Sequence, residues 1–225
     1  MRLKTSPFKA VLFDLDGTLL DTAPDFLTST NLLLKKRGMR LLGEENIRWL
    51  VSHGSVGIIR NVFDMDEAHP DFEPTRQELL AFYKDNLADK TQPFNGITAL
   101  LNELGTQQIP WGIVTNKPEF YTLAILEQLP LSPTPATIIC PDHVKKIKPD
   151  PEAISLACLE LGVRPEDTVY IGDHLRDIQA GLSAGTTTIA AAYGYIDDNE
   201  DPINWGAHHT VFCATQLHNL IFTNQ

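Results

Sequence analysis

The sequence predicts an α/β fold: a doubly wound parallel sheet (Rossmann-like core) with a small inserted α-helical cap domain. Three observations predict it. Short apolar runs alternate with longer helical patterns, each run ends in polar or Gly/Pro punctuation, and residues 20–93 carry helical patterns alone. Parallel strands buried on both faces read as continuous apolar runs, and helical crossovers join them. The length of 225 residues allows one large domain or one domain carrying an insertion.

The strands are expected at Ala10–Phe13, Trp111–Val114, 137–140, 169–171 and Thr187–Ala191, where β-branched and apolar residues run without helical spacing. Between them helices are expected at 97–104, 119–129, Glu152–Leu161 and Leu175–Ala184. Asp150-Pro151 supplies a cap residue and then proline at a helix start, and Gly162 stands where a helix C-terminus wants glycine. After the first strand the pattern changes to four helices, at 24–37, 44–51, 56–63 and 75–87. One helix suffices for a crossover between parallel strands, so four indicate an insertion. The expected division is a core of residues 1–20 and 94–225 and a cap of residues 21–93, hinged at 21–23 and 90–94.

Charge and composition narrow the function. Lys and Arg number 18 against 29 Asp and Glu, a net charge of −11. That field repels nucleic acid and anionic membrane surfaces. Hydrophobic residues make up 43% of the chain, which is globular composition, and no apolar run approaches the length of a membrane helix. The N-terminal residues show no signal-peptide pattern, and three scattered cysteines make neither a disulfide framework nor a zinc site. The expectation is a soluble, cytoplasmic protein, monomeric or weakly dimeric.

The strongest chemical signal is Phe13-Asp14-Leu15-Asp16-Gly17-Thr18-Leu19, directly after the first apolar run. Two carboxylates at the C-terminal end of a buried strand are expensive to place without a cation or a proton, and open α/β sheets bind ligands at those ends. A helix cap needs only one such Asp. Three more strand ends repeat the pattern: Thr115-Asn116, Lys148-Pro149-Asp150-Pro151, and Gly172-Asp173 followed by Asp177. Individually, Thr115-Asn116 reads as a polar turn and Lys148 as a surface lysine like Lys145 and Lys146; all four sets in one order do not.

This order resembles the haloacid dehalogenase superfamily of phosphohydrolases, and the resemblance covers the whole chain. It implies a cap inserted after the first motif, Asp14 as nucleophile, Asp16 as general acid and base, and a Mg²⁺ ion on Asp14, the Asp16 backbone carbonyl and Asp173. It further implies phosphate binding by Thr115, the Asn116 backbone and Lys148, with Asp177 binding the ion through water or orienting Lys148. The run 21–26 looks like the phosphoglycolate phosphatase branch. Four further runs, at 115–118, 140–145, 193–196 and 204–207, look closest within it to phosphatases of N-acetylmuramic acid 6-phosphate in peptidoglycan recycling. The implied partner is therefore a small phosphorylated metabolite. An acid two residues after the nucleophile suits an oxygen leaving group, which separates this chain from the dehalogenases and phosphonate hydrolases of the family.

Substrate contacts are expected from a cap loop, Ser52 to Ser55, in which Gly54 permits close approach and His53 and Ser55 can donate. Arg48 and Arg60 read as solvated helix charges, and Tyr193, Tyr195 and Trp205 as packing. His208-His209 is no metal pair, because neighbours on a strand face opposite ways. Three other readings remain: a sugar phosphomutase using the same nucleophile, a phospho-accepting signalling domain, which needs neither Asp16 nor a cap, and an inactive sugar-phosphate-binding relative.

Overall fold

The computed structural model describes residues 6–222. The chain runs through β1 (Ala10–Phe13) and β2 (Leu20–Asp21), then α1 (Ala23–Lys36), α2 (Arg48–Ser52), α3 (Gly54–Phe63) and α4 (Phe72–Asp85), and returns through β3 (Gln92–Pro93). Strands and helices then alternate: α5 (Ile97–Thr106), β4 (Trp111–Val114), α6 (Glu119–Gln128), β5 (Thr137–Ile139), α7 (Glu152–Leu161) and β6 (Thr168–Gly172). The chain ends in α8 (Leu175–Ala184), β7 (Thr187–Ala191), β8 (His209–Val211) and α9 (Leu217–Phe222).

Six strands form one parallel sheet in the order β5-β4-β1-β6-β7-β8. β1 is central, with Val11 registered against Trp111 on one side and Val169 on the other. All four of its residues are fully buried, as the apolar run requires. The chain fills the sheet on the β4 side of β1 first and then crosses to the β6 side, so a crevice opens at the C-terminal end of β1, where ligands bind in such sheets. The short edge strand β8 escapes sequence reading because it has only three residues, two of them only partly buried.

β2 and β3 pair antiparallel, Leu20 against Pro93, which brings the entry and exit of the helical insertion side by side. Within the insertion α1 packs on α4, and Phe26 stacks on Tyr83 with centroids 3.8 Å apart. One apolar cluster runs without interruption from Val11 and Phe13 of the sheet to Leu33, Leu79 and Ile58 of the insertion.

Two local expectations are corrected. The helix expected at 44–51 is a 3₁₀ turn, Glu44–Asn46, followed by the short α2, because the Asn46 and Ile47 amides donate three residues back, to Gly43 and Glu44. The stretch from Ser52 to Ser55 is not a loop: Ser52 ends α2, Gly54 begins α3, and His53 alone stands between them. Gly54 makes the break at φ +63°, a left-handed conformation open to glycine. No helix among the described residues is long and apolar enough to cross a membrane.

Candidate active site

Asp14 follows the last residue of β1 and is 5% exposed. Its Oδ1 accepts from the Leu15 amide at 2.7 Å and meets the Lys148 ammonium at 2.9 Å. Lys148 is itself buried and reaches the Asp177 Oδ1 at 2.7 Å, the Val114 carbonyl at 2.9 Å and the Tyr170 hydroxyl at 2.9 Å. Burial opposes its charge, but Asp14 and Asp177 outweigh burial and hold the ammonium above its ordinary pKa. Removing one partner of such a buried set leaves uncompensated charge and costs about 3–5 kcal/mol. The backbone of Lys148 is also clamped: the Asn116 side-chain amide accepts from its N–H and donates to its carbonyl, both at 3.1 Å.

Asp173 follows β6 and is 2% exposed. Its carboxylate accepts from the Thr18 hydroxyl at 2.9 Å and the Tyr195 amide at 2.8 Å. Burial, then Asp14 and Asp177 nearby, push it up to about 8. Oxygen atoms of Asp14, Asp173 and Asp177 lie within 4.8 Å of one another. Three buried carboxylates so close, one of them driven toward protonation, fit a hard divalent cation, which takes oxygen ligands and reverses that penalty. Asp177 is otherwise occupied, with Oδ1 on Lys148 and Oδ2 accepting the His174 amide at 3.0 Å, so it serves Lys148 directly. Gly17 is required here: at φ +81°, its Cβ would stand 2.0 Å from Asp173 Oδ2. Its amide donates to the Leu20 carbonyl at 2.9 Å, closing the turn.

Asp16 lies on the wall of a cavity of about 410 Å³ between the sheet and the insertion. Asp14, Thr115 and Asn116 line it with Asp16, and so do His53, Gly54 and Ser55 from the insertion. Lys148, Asp173 and Asp177 do not line it. The structure thus gathers the residues expected from the four strand-end motifs around Asp14, and brings the expected cap residues over them. His53 is exposed and makes edge contacts with His174 and Trp49, with centroids 5.9 and 6.2 Å apart. Ser55 accepts a long hydrogen bond, 3.4 Å, from Arg76. Tyr195 and Trp205 are buried and absent from the cavity wall, and the Tyr195 hydroxyl accepts from the Ala23 amide and donates to Asp21 Oδ1, both at 2.8 Å.

Sequence reading missed Lys117. This lysine is 8% exposed, and its ammonium sits 3.0 and 3.3 Å from the two Asp16 oxygens and 2.9 Å from the Tyr83 hydroxyl. It also lies over the Phe26 and Tyr83 rings, 5.1 and 5.0 Å from their centroids. A residue adjoining the Thr115-Asn116 motif thereby joins the carboxylate of Asp16 to two aromatic side chains of the insertion. Thr22, at the start of α1, donates its hydroxyl to the same carboxylate. Arg176 on α8 was missed as well; it lines the cavity and donates to the Ser52 carbonyl at 2.7 Å. His174, beside it, is pushed down to about 4 by burial first and by Arg176 and His53 after that, so its ring is neutral at physiological pH.

The family profile described as haloacid dehalogenase-like hydrolase matches residues 11–191. An N-acetylmuramic acid 6-phosphate phosphatase from Pseudomonas aeruginosa is 42% identical over 205 residues, 91% of each chain. A phosphoglycolate phosphatase from Xanthomonas campestris pv. campestris is 39% identical over 212 residues, 93% of this chain and 94% of the relative. Among solved structures, a predicted phosphoglycolate phosphatase from Haemophilus somnus superposes with a TM-score of 0.81 over 94% of this chain and 97% of its own, at 23% identity, a likeness of fold. The strand-end carboxylates, the inserted cap and these matches together make the chain a member of the haloacid dehalogenase-like hydrolases, and a phosphatase of that family.

Proposed function

We propose that this phosphatase transfers the phosphoryl group of its ester to Asp14 and then to water, and that its substrate is N-acetylmuramic acid 6-phosphate. The observation that carries the chemistry is the setting of Asp14. Both the Leu15 amide and the Lys148 ammonium fall on Oδ1, which supports a role for the second oxygen as the one that attacks phosphorus. Attack by that oxygen breaks the ester bond and leaves an aspartyl-phosphate, splitting one difficult displacement into two. Asp16 gives its proton to the departing oxygen and then takes one from the hydrolytic water, a contribution typically worth about 10²–10⁴-fold. Lys117 and Thr22 hold that carboxylate in place. Thr115 and the Asn116 backbone bind the phosphoryl oxygens, with Lys148 supplying positive charge from below. Asp14, the Asp16 carbonyl and Asp173 would hold a Mg²⁺ ion, which when bound neutralises phosphoryl charge. The insertion, residues 21–93, covers the site and excludes water.

The muramate substrate is supported by the 42% identity to the Pseudomonas enzyme of that name, over nearly the whole chain. A second reading, phosphoglycolate, draws on the Xanthomonas relative at 39%. In either reading the protein is cytoplasmic, works as a monomer or weak dimer, and takes a small metabolite rather than nucleic acid or membrane. Phosphate release from the two esters under one condition separates them, since specificity is a ratio of kcat/KM values. A preference for the muramate ester of about tenfold or more, roughly 1.4 kcal/mol, is expected; the reverse ratio selects phosphoglycolate.

A further inference from the structure

Three permanent cations stand on the cavity wall, Arg76, Lys117 and Arg176, and two of them are neutralised within the protein. Lys117 pairs with Asp16. Arg76 grips Glu73 through Nε and Nη2, both at 2.8 Å. Arg176 has no carboxylate within 4.0 Å among the described residues. Its Nη2 donates to the Ser52 carbonyl, and its Nε is buried with no hydrogen-bond partner. A guanidinium is charged at every physiological pH and presents donors in a planar fork that matches a carboxylate. A buried donor without a partner is destabilising. Arg176 also sits in the first turn of α8, the end of a helix that disfavours a cation. Three unfavourable features meet in one side chain, on a surface shared with the nucleophile, in a chain whose net charge is −11.

We infer that Arg176 is a specificity residue: it receives a second anionic group of the substrate, a carboxylate borne by the leaving group, while the phosphoryl group lies over Asp14. The inference rests on the reading of Asp14 as the phosphoryl acceptor. It defines the substrate class as phosphate monoesters that also carry a carboxylate. A carboxylate seated there pairs with the guanidinium that no protein carboxylate reaches among the described residues, and lies on the same cavity wall as Asp14. The contact with Ser52 places the same guanidinium against the insertion, so the group that reads the leaving group also touches the cover above it.

The test uses two pairs of esters that differ in the carboxylate. N-acetylmuramic acid 6-phosphate is compared with N-acetylglucosamine 6-phosphate, which lacks the lactyl group, and phosphoglycolate with hydroxyethyl phosphate. kcat/KM is measured for wild type, Arg176→Gln and Arg176→Lys. The ratio within a pair is independent of how much of a variant is folded, and a merely structural arginine lowers both members alike. Wild type is expected to favour the carboxylate member of at least one pair by about tenfold or more, with Arg176→Gln collapsing that ratio and Arg176→Lys retaining part of it. The ratio persisting in Arg176→Gln, or its absence from wild type in both pairs, overturns the inference. Preference by wild type for phosphoglycolate, again lost in Arg176→Gln, overturns the muramate reading and upholds Arg176. Loss of all phosphate release in Asp14→Asn tests the phosphoryl acceptor separately.

Discussion

Asp25 makes the strongest test of how the insertion is fastened. This residue in the first turn of α1 is completely buried, and its carboxylate accepts from the amides of Lys90 and Thr91 at 2.8 and 3.2 Å and from the Thr91 hydroxyl. It thus binds the beginning of the insertion to the strand-ward end of its exit. Asp25→Ala strips an acceptor from three donors at once. Each bond to a charged group is worth about 1.5–3 kcal/mol, and water entering the space left by truncation restores part of the loss. The expected destabilisation is about 3–5 kcal/mol, a fall in melting temperature of roughly 6–20 °C for a chain of this size. Thr91→Val, which removes only the hydroxyl, should cost about 1 kcal/mol, and less again when Asp25 is already alanine. Urea unfolding followed by circular dichroism measures all three variants. A loss below about 1 kcal/mol for Asp25→Ala would refute the clamp as a stabilising feature.

Three further outcomes are expected. Ellman's reagent at pH 8 should titrate one thiol in the native protein, the exposed Cys213, and three in denaturant, since burial pushes Cys140 up to about 11 and raises Cys158. Raised values keep both thiols protonated until the pH climbs far above 8, so fast reaction of two or more native thiols contradicts the packing. Chelator should abolish phosphate release and Mg²⁺ restore it, whereas Ca²⁺, which favours looser and more numerous oxygen contacts, should inhibit; full activity in chelator removes the ion from the account. Lys117→Met should lower kcat on an alkyl phosphate by about 10–10²-fold and less on an aryl phosphate, whose leaving group needs no proton. Equal losses on the two would assign Lys117 to packing alone.

The parallel sheet and the helical insertion were legible because apolar runs and helical periodicity are local properties. So were Asp14, Asp16, Thr115, Lys148 and Asp173, which stand at strand ends where buried polarity needs a reason. Asp177 was legible only as binding the ion through water or orienting Lys148; it stands at the third position of α8 and pairs with Lys148. Lys117 and Arg176 were not legible. A buried lysine looks in sequence like exposed Lys145 or Lys146, and the partner of Lys117, Asp16, is 101 residues away. The only available signal was position, one residue past the Thr115-Asn116 motif. Asn116 shows the same limit from another side: its backbone was expected to bind phosphate, and the hold of its side-chain amide on the backbone of Lys148 had no signal in the sequence. Long-range pairing decided these roles, and composition and spacing carry no record of it.

Phosphate is expected to pass through a covalent bond to Asp14. Rapid acid quenching during turnover, borohydride reduction and peptide mapping test it most directly, because reduction of an aspartyl-phosphate leaves homoserine at the labelled position. Homoserine is expected at position 14 in wild type, and neither homoserine nor phosphate release in Asp14→Asn. Reduction at a different residue, or turnover by Asp14→Asn at a rate near wild type with deamidation excluded, would contradict the account.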